Sequence, residues 1–156
     1  MSIDKAREYL KKFNADGRII ETDLSSATVE LAAKALGCEE ERIAKTLSFK
    51  TKDNEVILIV AAGTAKVDNK KFKAEFGCKA TMLKADEVEP FIGHAIGGVC
   101  PFGVNEGVKI YLDESLRAFE TVFPAAGSSN SAIEVTLSEL EEFARAEKWV
   151  DVSKTE

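Results

Sequence analysis

A single histidine, a single tryptophan, two methionines, three prolines and three cysteines are spread through 156 residues. With only His94 to draw on, no multi-histidine metal site can form, and any Cys–His or Ser–His centre has to use that residue. Cys38, Cys78 and Cys100 are odd in number, widely spaced and without a CxxC pair. They read as reduced thiols rather than as a disulfide framework or a zinc site. Long apolar runs are missing too. The longest, residues 56–62, is far short of the roughly 20 residues that span a bilayer. Residues 1–14 are charged and periodic and lack the apolar core of a secretory signal. These absences predict a cytoplasmic protein without a membrane segment, a metal or a cofactor.

Bulk positive charge is also lacking. Lysine and arginine number 21 against 27 acidic residues, a net charge of −6, so nucleic acid cannot be held by overall charge. The balance is uneven, however: residues 1–85 carry a net +3 and residues 86–156 a net −9. The most basic stretch runs from Lys66 to Lys84 and holds Lys66, Lys70, Lys71, Lys73, Lys79 and Lys84 against Asp68 and Glu75. It reads either as a solvated helix face or as a local patch for phosphates. At 45% hydrophobic and 31% charged, the chain can bury a core of its own, and its length predicts one domain over residues 1–156.

The hydrophobic pattern alternates between helical and extended periods. Ile3, Ala6, Leu10 and Phe13 recur at steps of three and four, which predicts a first helix capped by Ser2. Residues 18–22 read as extended. Ser25 or Ser26 is expected to cap a second helix, which Gly37 closes. From Ile43 the period becomes two, with Ile43, Leu47 and Phe49 on one face. Lys45 falls in phase with them. Either a lysine points inward from this strand, or the strand starts at Thr46 and Lys45 reaches solvent from a helix end. Residues 56–62 are apolar throughout, as in a strand covered on both faces, and Asp53-Asn54 marks a hairpin turn before them. Asp68 to Phe76, closed by Gly77, predicts a helix. A short strand at 81–83 and a helical turn at 86–91 containing Pro90 follow. Strands are expected at 108–112, 119–123 and 131–135, and Ser138 with Glu141 predicts a capping box for a last helix through Lys148. The sum is a mixed α/β, or α+β, fold.

Five of the ten glycines and two of the three prolines fall in residues 90–107. The spacing is neither GxGxxG nor a Gly-Lys-Ser/Thr phosphate loop. The segment could be a bulged strand and tight turn, or it could present backbone groups to a ligand. His94 and Cys100 stand six apart. In an extended segment that is too far for direct contact, so a Cys–His nucleophile would need a bend.

Three pieces in order carry a family resemblance: SATVELAAKALG at 26–37 followed by IAKTL at 43–47, GHAIGGVCPFG at 93–103, and AGSSNSAIEV at 126–135. Together they make the chain similar to the YbaK/prolyl-tRNA synthetase-associated editing-domain family, the trans-editing aminoacyl-tRNA deacylases. The resemblance implies a compact α/β domain with a barrel-like mixed sheet surrounded by helices. It implies hydrolysis of the ester joining a wrong amino acid to the tRNA 3′ end, on tRNA-Pro carrying Cys, Ala or another small amino acid. The family's essential lysine matches Lys45, which gives an inward-pointing lysine a reason. The family's Gly-x-x-x-Pro element falls on Gly97, Gly98, Val99, Cys100 and Pro101, as the wall of the adenosine and aminoacyl pocket. Gly127, Ser128, Ser129 and Asn130 match the loop that closes the other side. Cys100 departs from the serine that many relatives carry. In such enzymes the substrate assists its own cleavage, so no triad is needed. An aminoacyl-tRNA synthetase is a further expected partner.

Two other readings lead to different outcomes. A non-catalytic module would bind aminoacyl-adenosine or a synthetase without turnover. A thiol-dependent hydrolase would use Cys100 and His94.

Overall fold

In a computed structural model that describes residues 2–22, 28–95 and 98–154, five helices surround a curled mixed sheet. Helix α1 (Ser2–Leu10) buries Ala6 and Leu10 and tightens into a 3₁₀ turn at Lys11–Phe13. Strand β1 (Ile19–Glu21) precedes α2 (Val29–Leu36), which Thr28 caps by accepting from the Leu31 amide at 3.1 Å. Ser25 and Ser26, the caps expected from sequence, lie outside the described residues. Gly37 ends α2 at φ +69°, where a left-handed residue is needed.

Strand β2 (Ile43–Lys50) starts at Ile43 rather than Thr46, so Lys45 lies inside it and points with Ile43, Leu47 and Phe49. It forms an antiparallel hairpin with β3 (Val56–Ala62) over its whole length, from Ala44 opposite Ala62 to Lys50 opposite Val56. Both faces of β3 are covered, as its unbroken apolar run requires. Strand β4 (Lys66–Val67) leads into α3 (Asn69–Phe76), capped by Asp68 and closed by Gly77 at φ +72°. Strand β5 (Thr81–Met82) and α4 (Ala85–Ile92) follow. Pro90 sits in the last turn of α4, and the Asn105 side-chain amide donates to the carbonyls of Pro90 and Phe91 there.

The second half supplies β6 (Lys109–Asp113), β7 (Thr121–Pro124), β8 (Ser131–Ile133), β9 (Val135–Thr136), α5 (Leu137–Ala144), β10 (Lys148–Val150) and β11 (Ser153–Lys154). The sheet order is β10-β6-β3-β2-β7-β9, with β5 added to the far end of β2. Parallel pairs join β10 to β6, β6 to β3 and β2 to β7; the rest are antiparallel. Two ribbons, β1–β8 and β4–β11, stand apart from it.

The expected last helix is displaced. Its capping box is Thr136 with Glu139, not Ser138 with Glu141. Arg18 fixes this choice by gripping both Glu139 oxygens, at 2.8 and 3.0 Å. The helix stops at Ala144, and Lys148 belongs to β10, where Trp149 donates to Glu141 at 3.1 Å. The predicted strand at 131–135 is broken at Glu134, because Ser131–Ile133 pairs with β1 and Val135–Thr136 with β7.

Three apolar clusters result. The main one lies on the sheet face of Ala44, Leu58 and Val60. On the opposite face, Phe49, Ile57, Ile59 and Phe72 pack beneath α3, while Ile43, Ala32, Ala33 and Phe123 pack beneath α2. Lys45 stands between these last two.

Candidate active site

One edge of β2 is fully paired with β3. The other edge is paired only at its ends, with β7 at Ile43 and Ala44 and with β5 at Phe49 and Lys50. Among the described residues no strand covers residues 45–47 there. Pro124, opposite Ala44, ends β7; without an amide hydrogen it cannot extend the ladder, and the chain leaves for the 125–130 loop. The sheet therefore splits beside Lys45. A cleft of about 250 Å³ opens at the split, walled by α2, the start of β2, Val88 of α4, Val99, Phe123, Ala125, Ser131 and Ala132.

Lys45 is half-buried in this wall. Its ammonium donates to the main-chain carbonyls of Gly63, at 3.2 Å, and Ala65. Among the described residues no carboxylate pairs with it. Burial, then the nearby charge of Lys66, hold its pKa below the ordinary lysine value. Two carbonyls use two of its three N–H groups. The next side chain, Thr46, has a buried hydroxyl with no hydrogen-bond partner.

The two glycine-containing loops meet. A Cβ on Gly98 would stand 2.5 Å from the Gly127 carbonyl oxygen and 2.9 Å from Ser128 Cα, so only glycine permits the approach. Gly127 itself has φ +100°. The Ser128 hydroxyl donates to the Asn130 side-chain oxygen at 2.9 Å and lies 2.7 Å from the Ser131 hydroxyl, while the Asn130 amide donates to the Thr22 carbonyl at 3.0 Å. The loop is thus a self-bonded turn anchored to the chain after β1, with Ser129 half-buried in it.

The sequence profile of the aminoacyl-tRNA editing domain matches residues 25–143. The chain belongs to this family. A Bacillus subtilis (strain 168) relative, the uncharacterized protein YwhH, is 52% identical over 154 residues, covering 99% of this chain and 98% of the relative. A proline–tRNA ligase of Thermosipho melanesiensis is 32% identical over 127 residues, 80% of this chain but only 22% of the ligase. A solved structure described as a candidate trans-editing enzyme for prolyl tRNA synthetase superposes with a TM-score of 0.88 at 28% identity, covering 98% of this chain and 97% of that one. The mixed α/β architecture with its curled sheet is the one these editing domains share.

Within this editing domain the residues expected from sequence fall into distinct places. Lys45 and Val99 line the cleft. Gly98 joins the two loops, and Gly127, Ser128, Ser129 and Asn130 form the second of them, but none of these five lines the cleft. Gly97 lies outside the described residues. Cys100 and Pro101 are buried behind the wall. The glycine segment bends there, bringing Cys100 Sγ to 3.6 Å from His94 Nε2, closer than an extended segment allows. The protonation states do not suit nucleophilic catalysis. His94 Nε2 lies 2.6 Å from the Phe102 carbonyl, an acceptor only, so that nitrogen carries the proton and donates. Burial lowers the His94 pKa and pushes the Cys100 thiol up to about 12.

Sequence reading did not single out Gly63 and Ala65, whose carbonyls hold Lys45. Gly63 had a usable signal as the glycine that ends the apolar run of β3. A Cβ there would stand 2.2 Å from the Glu40 carbonyl oxygen and 2.6 Å from Val29.

Proposed function

We propose that the chain is a trans-editing deacylase that hydrolyses the ester of mischarged tRNA, with Lys45 as the catalytic residue. One observation carries this reading: a half-buried ammonium with no carboxylate partner among the described residues, at the wall of a small, largely apolar cleft. The terminal adenosine and its ester enter at the split in the sheet. The uncommitted N–H of Lys45 donates to the ester carbonyl oxygen and stabilises the negative charge that develops there. Water adds to the carbonyl carbon, its proton drawn off through the neighbouring ribose hydroxyl. The bond between the carbonyl carbon and the ribose oxygen breaks, and the departing ribose oxygen takes a proton. The free amino acid and the tRNA leave. No histidine or thiol is required, which agrees with the protonation of His94 and Cys100.

The cleft volume supports a small amino acid, with Val29, Ala32, Leu36 and Phe123 as the wall that measures it. Likeness to proline–tRNA ligases and to a candidate trans-editing enzyme for prolyl tRNA synthetase supports tRNA-Pro as carrier, and a synthetase as partner. The test is a set of tRNAs mischarged with Cys, Ala, Ser and Thr, given to the wild-type protein and to Lys45→Ala. Release of at least one amino acid by wild type, lost in the variant, is expected. Binding of an aminoacyl-adenosine analogue without turnover of any ester would instead establish a non-catalytic module.

A further inference from the structure

An acidic protein that takes the 3′ end of an RNA must also hold the strand leading to it. The fold gathers lysines where that strand would pass. Lys66 follows Ala65, whose carbonyl accepts from Lys45. Strand β11 runs antiparallel to β4 and sets Lys154 directly opposite Lys66. This brings a lysine from the acidic half of the chain into the basic cluster. Two like charges opposite each other do not help a ribbon to form, so this pair is not there to hold β4 to β11. Lys70 and Lys73 add two more on α3, three residues apart and therefore on one side of the helix. All four are exposed, and among the described residues none makes an ion pair. The lysine between them, Lys71, is engaged by Asp151 and the Ser153 carbonyl. The acid at the centre, Asp68, caps α3, and its carboxylate also feels the charges of Lys154 and Lys71 without forming an ion pair with Lys154. Helix α3 packs on the same face of the hairpin that carries Lys45, and the ribbon end of the cluster is near the cleft, since the Lys66 charge acts on Lys45.

We propose that the β4–β11 ribbon and the exposed side of α3, through Lys66, Lys154, Lys70 and Lys73, bind the backbone phosphates of the RNA strand that leads into the Lys45 cleft. This rests on the deacylase reading for the position of the 3′ end. Ammonium groups on flexible stems suit phosphates along a strand whose sequence is not read. Each phosphate contact contributes about 0.7 to the salt slope of single-strand binding, so the four lysines give a slope of about −3.

The probe is a fluorescent RNA hairpin with a single-stranded CCA 3′ end, titrated by anisotropy at several salt concentrations with wild type, Lys66→Glu, Lys66→Glu/Lys154→Glu and Lys12→Glu. Lys12 lies at the end of α1, on the opposite face of the sheet, and serves as control. The double variant is expected to bind at least tenfold more weakly with a slope shallower by about one to two, and Lys12→Glu to match wild type. Lys66→Glu alone turns a like-charge pair into an opposite one, so its melting temperature should hold or rise while RNA affinity falls. Hydrolysis of a minimal 3′-aminoacyl-adenosine ester is read in Lys70→Glu/Lys73→Glu, which leaves the Lys66 charge beside Lys45 in place; it should not change there, while RNA binding weakens. Equal RNA affinity in wild type and the double variant overturns the proposal, as does an equal loss in Lys12→Glu. An equal loss of minimal-ester hydrolysis in Lys70→Glu/Lys73→Glu also overturns it, since these lysines would then act on Lys45 and not on the RNA. If wild type binds the hairpin but hydrolyses no ester, the deacylase reading fails while the phosphate surface stands.

Discussion

The ammonium of Lys45 reaches the main-chain carbonyl of Gly63, 3.2 Å away, and that of Ala65 beyond it. Both acceptors are dipoles and neither is a carboxylate. They orient the amine without neutralising it, which leaves its charge unpaired, as the proposed contact with an ester oxygen requires. The close packing of Gly63 against Glu40 and Val29 fixes where those carbonyls point.

Lys45→Ala should lower kcat/KM for the best mischarged tRNA by at least about 100-fold, the scale of losing one preorganised donor to a developing oxyanion. Stability should move by only about 1 kcal/mol, as at other partly exposed positions. Lys45→Arg should not restore activity, because a planar guanidinium cannot take the same two carbonyls from the same stem. Single-turnover deacylation and thermal melts check both halves. Activity in Lys45→Ala within a few-fold of wild type rules out the assigned role.

The depressed Lys45 pKa has a sign that can be read. The unfolded chain holds the Lys45 proton to higher pH than the folded one does. This group therefore makes stability rise with pH between its folded value and 10.5. Deacylation that needs the ammonium falls across the same window. The stability of wild type minus that of Lys45→Met, followed from pH 7 to 11, should increase with pH. A flat or falling difference contradicts the placement of Lys45.

Gly98→Ala should separate the loops that meet beside the cleft. Its Cβ would fall 2.5 Å from the Gly127 carbonyl, so main chain has to shift, at about 1–3 kcal/mol. Gly37→Ala is the comparison. Gly37 has a left-handed backbone, which Gly98 does not, but nothing lies within 4 Å of its Cβ position, and about 1 kcal/mol is expected there. The two variants should differ most in deacylation, with Gly98→Ala impaired beyond its loss of stability and Gly37→Ala near wild type.

Much of this arrangement was legible in the sequence, and the illegible parts share a cause. Strand β3, the Asp68 and Gly77 boundaries of α3 and the in-phase Lys45 follow from periodicity and end signals, which are local. Sequence points to Ser138–Glu141 as the capping box, and the observed Thr136–Glu139 box has the same spacing, so the local pattern does not separate them. The deciding contact is Arg18, more than a hundred residues away. The carbonyls of Gly63 and Ala65 were invisible because every residue has one. The Lys66–Lys154 pairing depends on a ribbon of two-residue strands, too short for any period to show. Family resemblance pointed to Lys45 and to the two loops. It could not supply the contact that makes Gly98 and Gly127 mutually dependent.

Cys100→Ala tests the thiol reading. A fully buried thiol pushed up to about 12 and facing a protonated His94 nitrogen is a packing group. Activity should stay within about twofold, with about 1 kcal/mol lost to the vacated space. Thiol alkylation in the native protein should reach Cys38 and Cys78 first and leave deacylation intact. Loss of activity in Cys100→Ala with the fold retained would return Cys100 to the chemistry.

Glu139, in the first turn of α5, is gripped by Arg18 from the turn before β1. Arg18 first, and the Thr136 amide next, hold its carboxyl down at about 2. A depressed carboxylate contributes stability above its unfolded pKa and loses it as the pH falls from about 4.5 towards 2. Thr136→Ala should cost about 1 kcal/mol at neutral pH through the lost cap. Glu139→Gln should flatten the acid limb of a stability–pH curve between pH 5 and 2. An acid limb as steep as wild type in Glu139→Gln would show that other carboxylates govern acid unfolding.

Ala32 offers the sharpest test of substrate size. It lies on α2 in the cleft wall, close to Ile43 and Phe123 in the cluster beneath that helix. With the aminoacyl ester placed as proposed in this cleft of about 250 Å³, three added carbons at Ala32→Leu take up space beside its side chain. One methylene in an apolar pocket is worth about 1–3 kcal/mol, or roughly 10- to 200-fold in kcat/KM. The variant should therefore lose activity on its bulkier substrates by that factor and keep more of it on alanyl-tRNA, changing their ranking. Overpacking α2 against β2 would instead lower all substrates together and lower the melting temperature with them. Measured side by side, relative kcat/KM values separate the two. An unchanged ranking would mean that the amino acid side chain does not lie against α2.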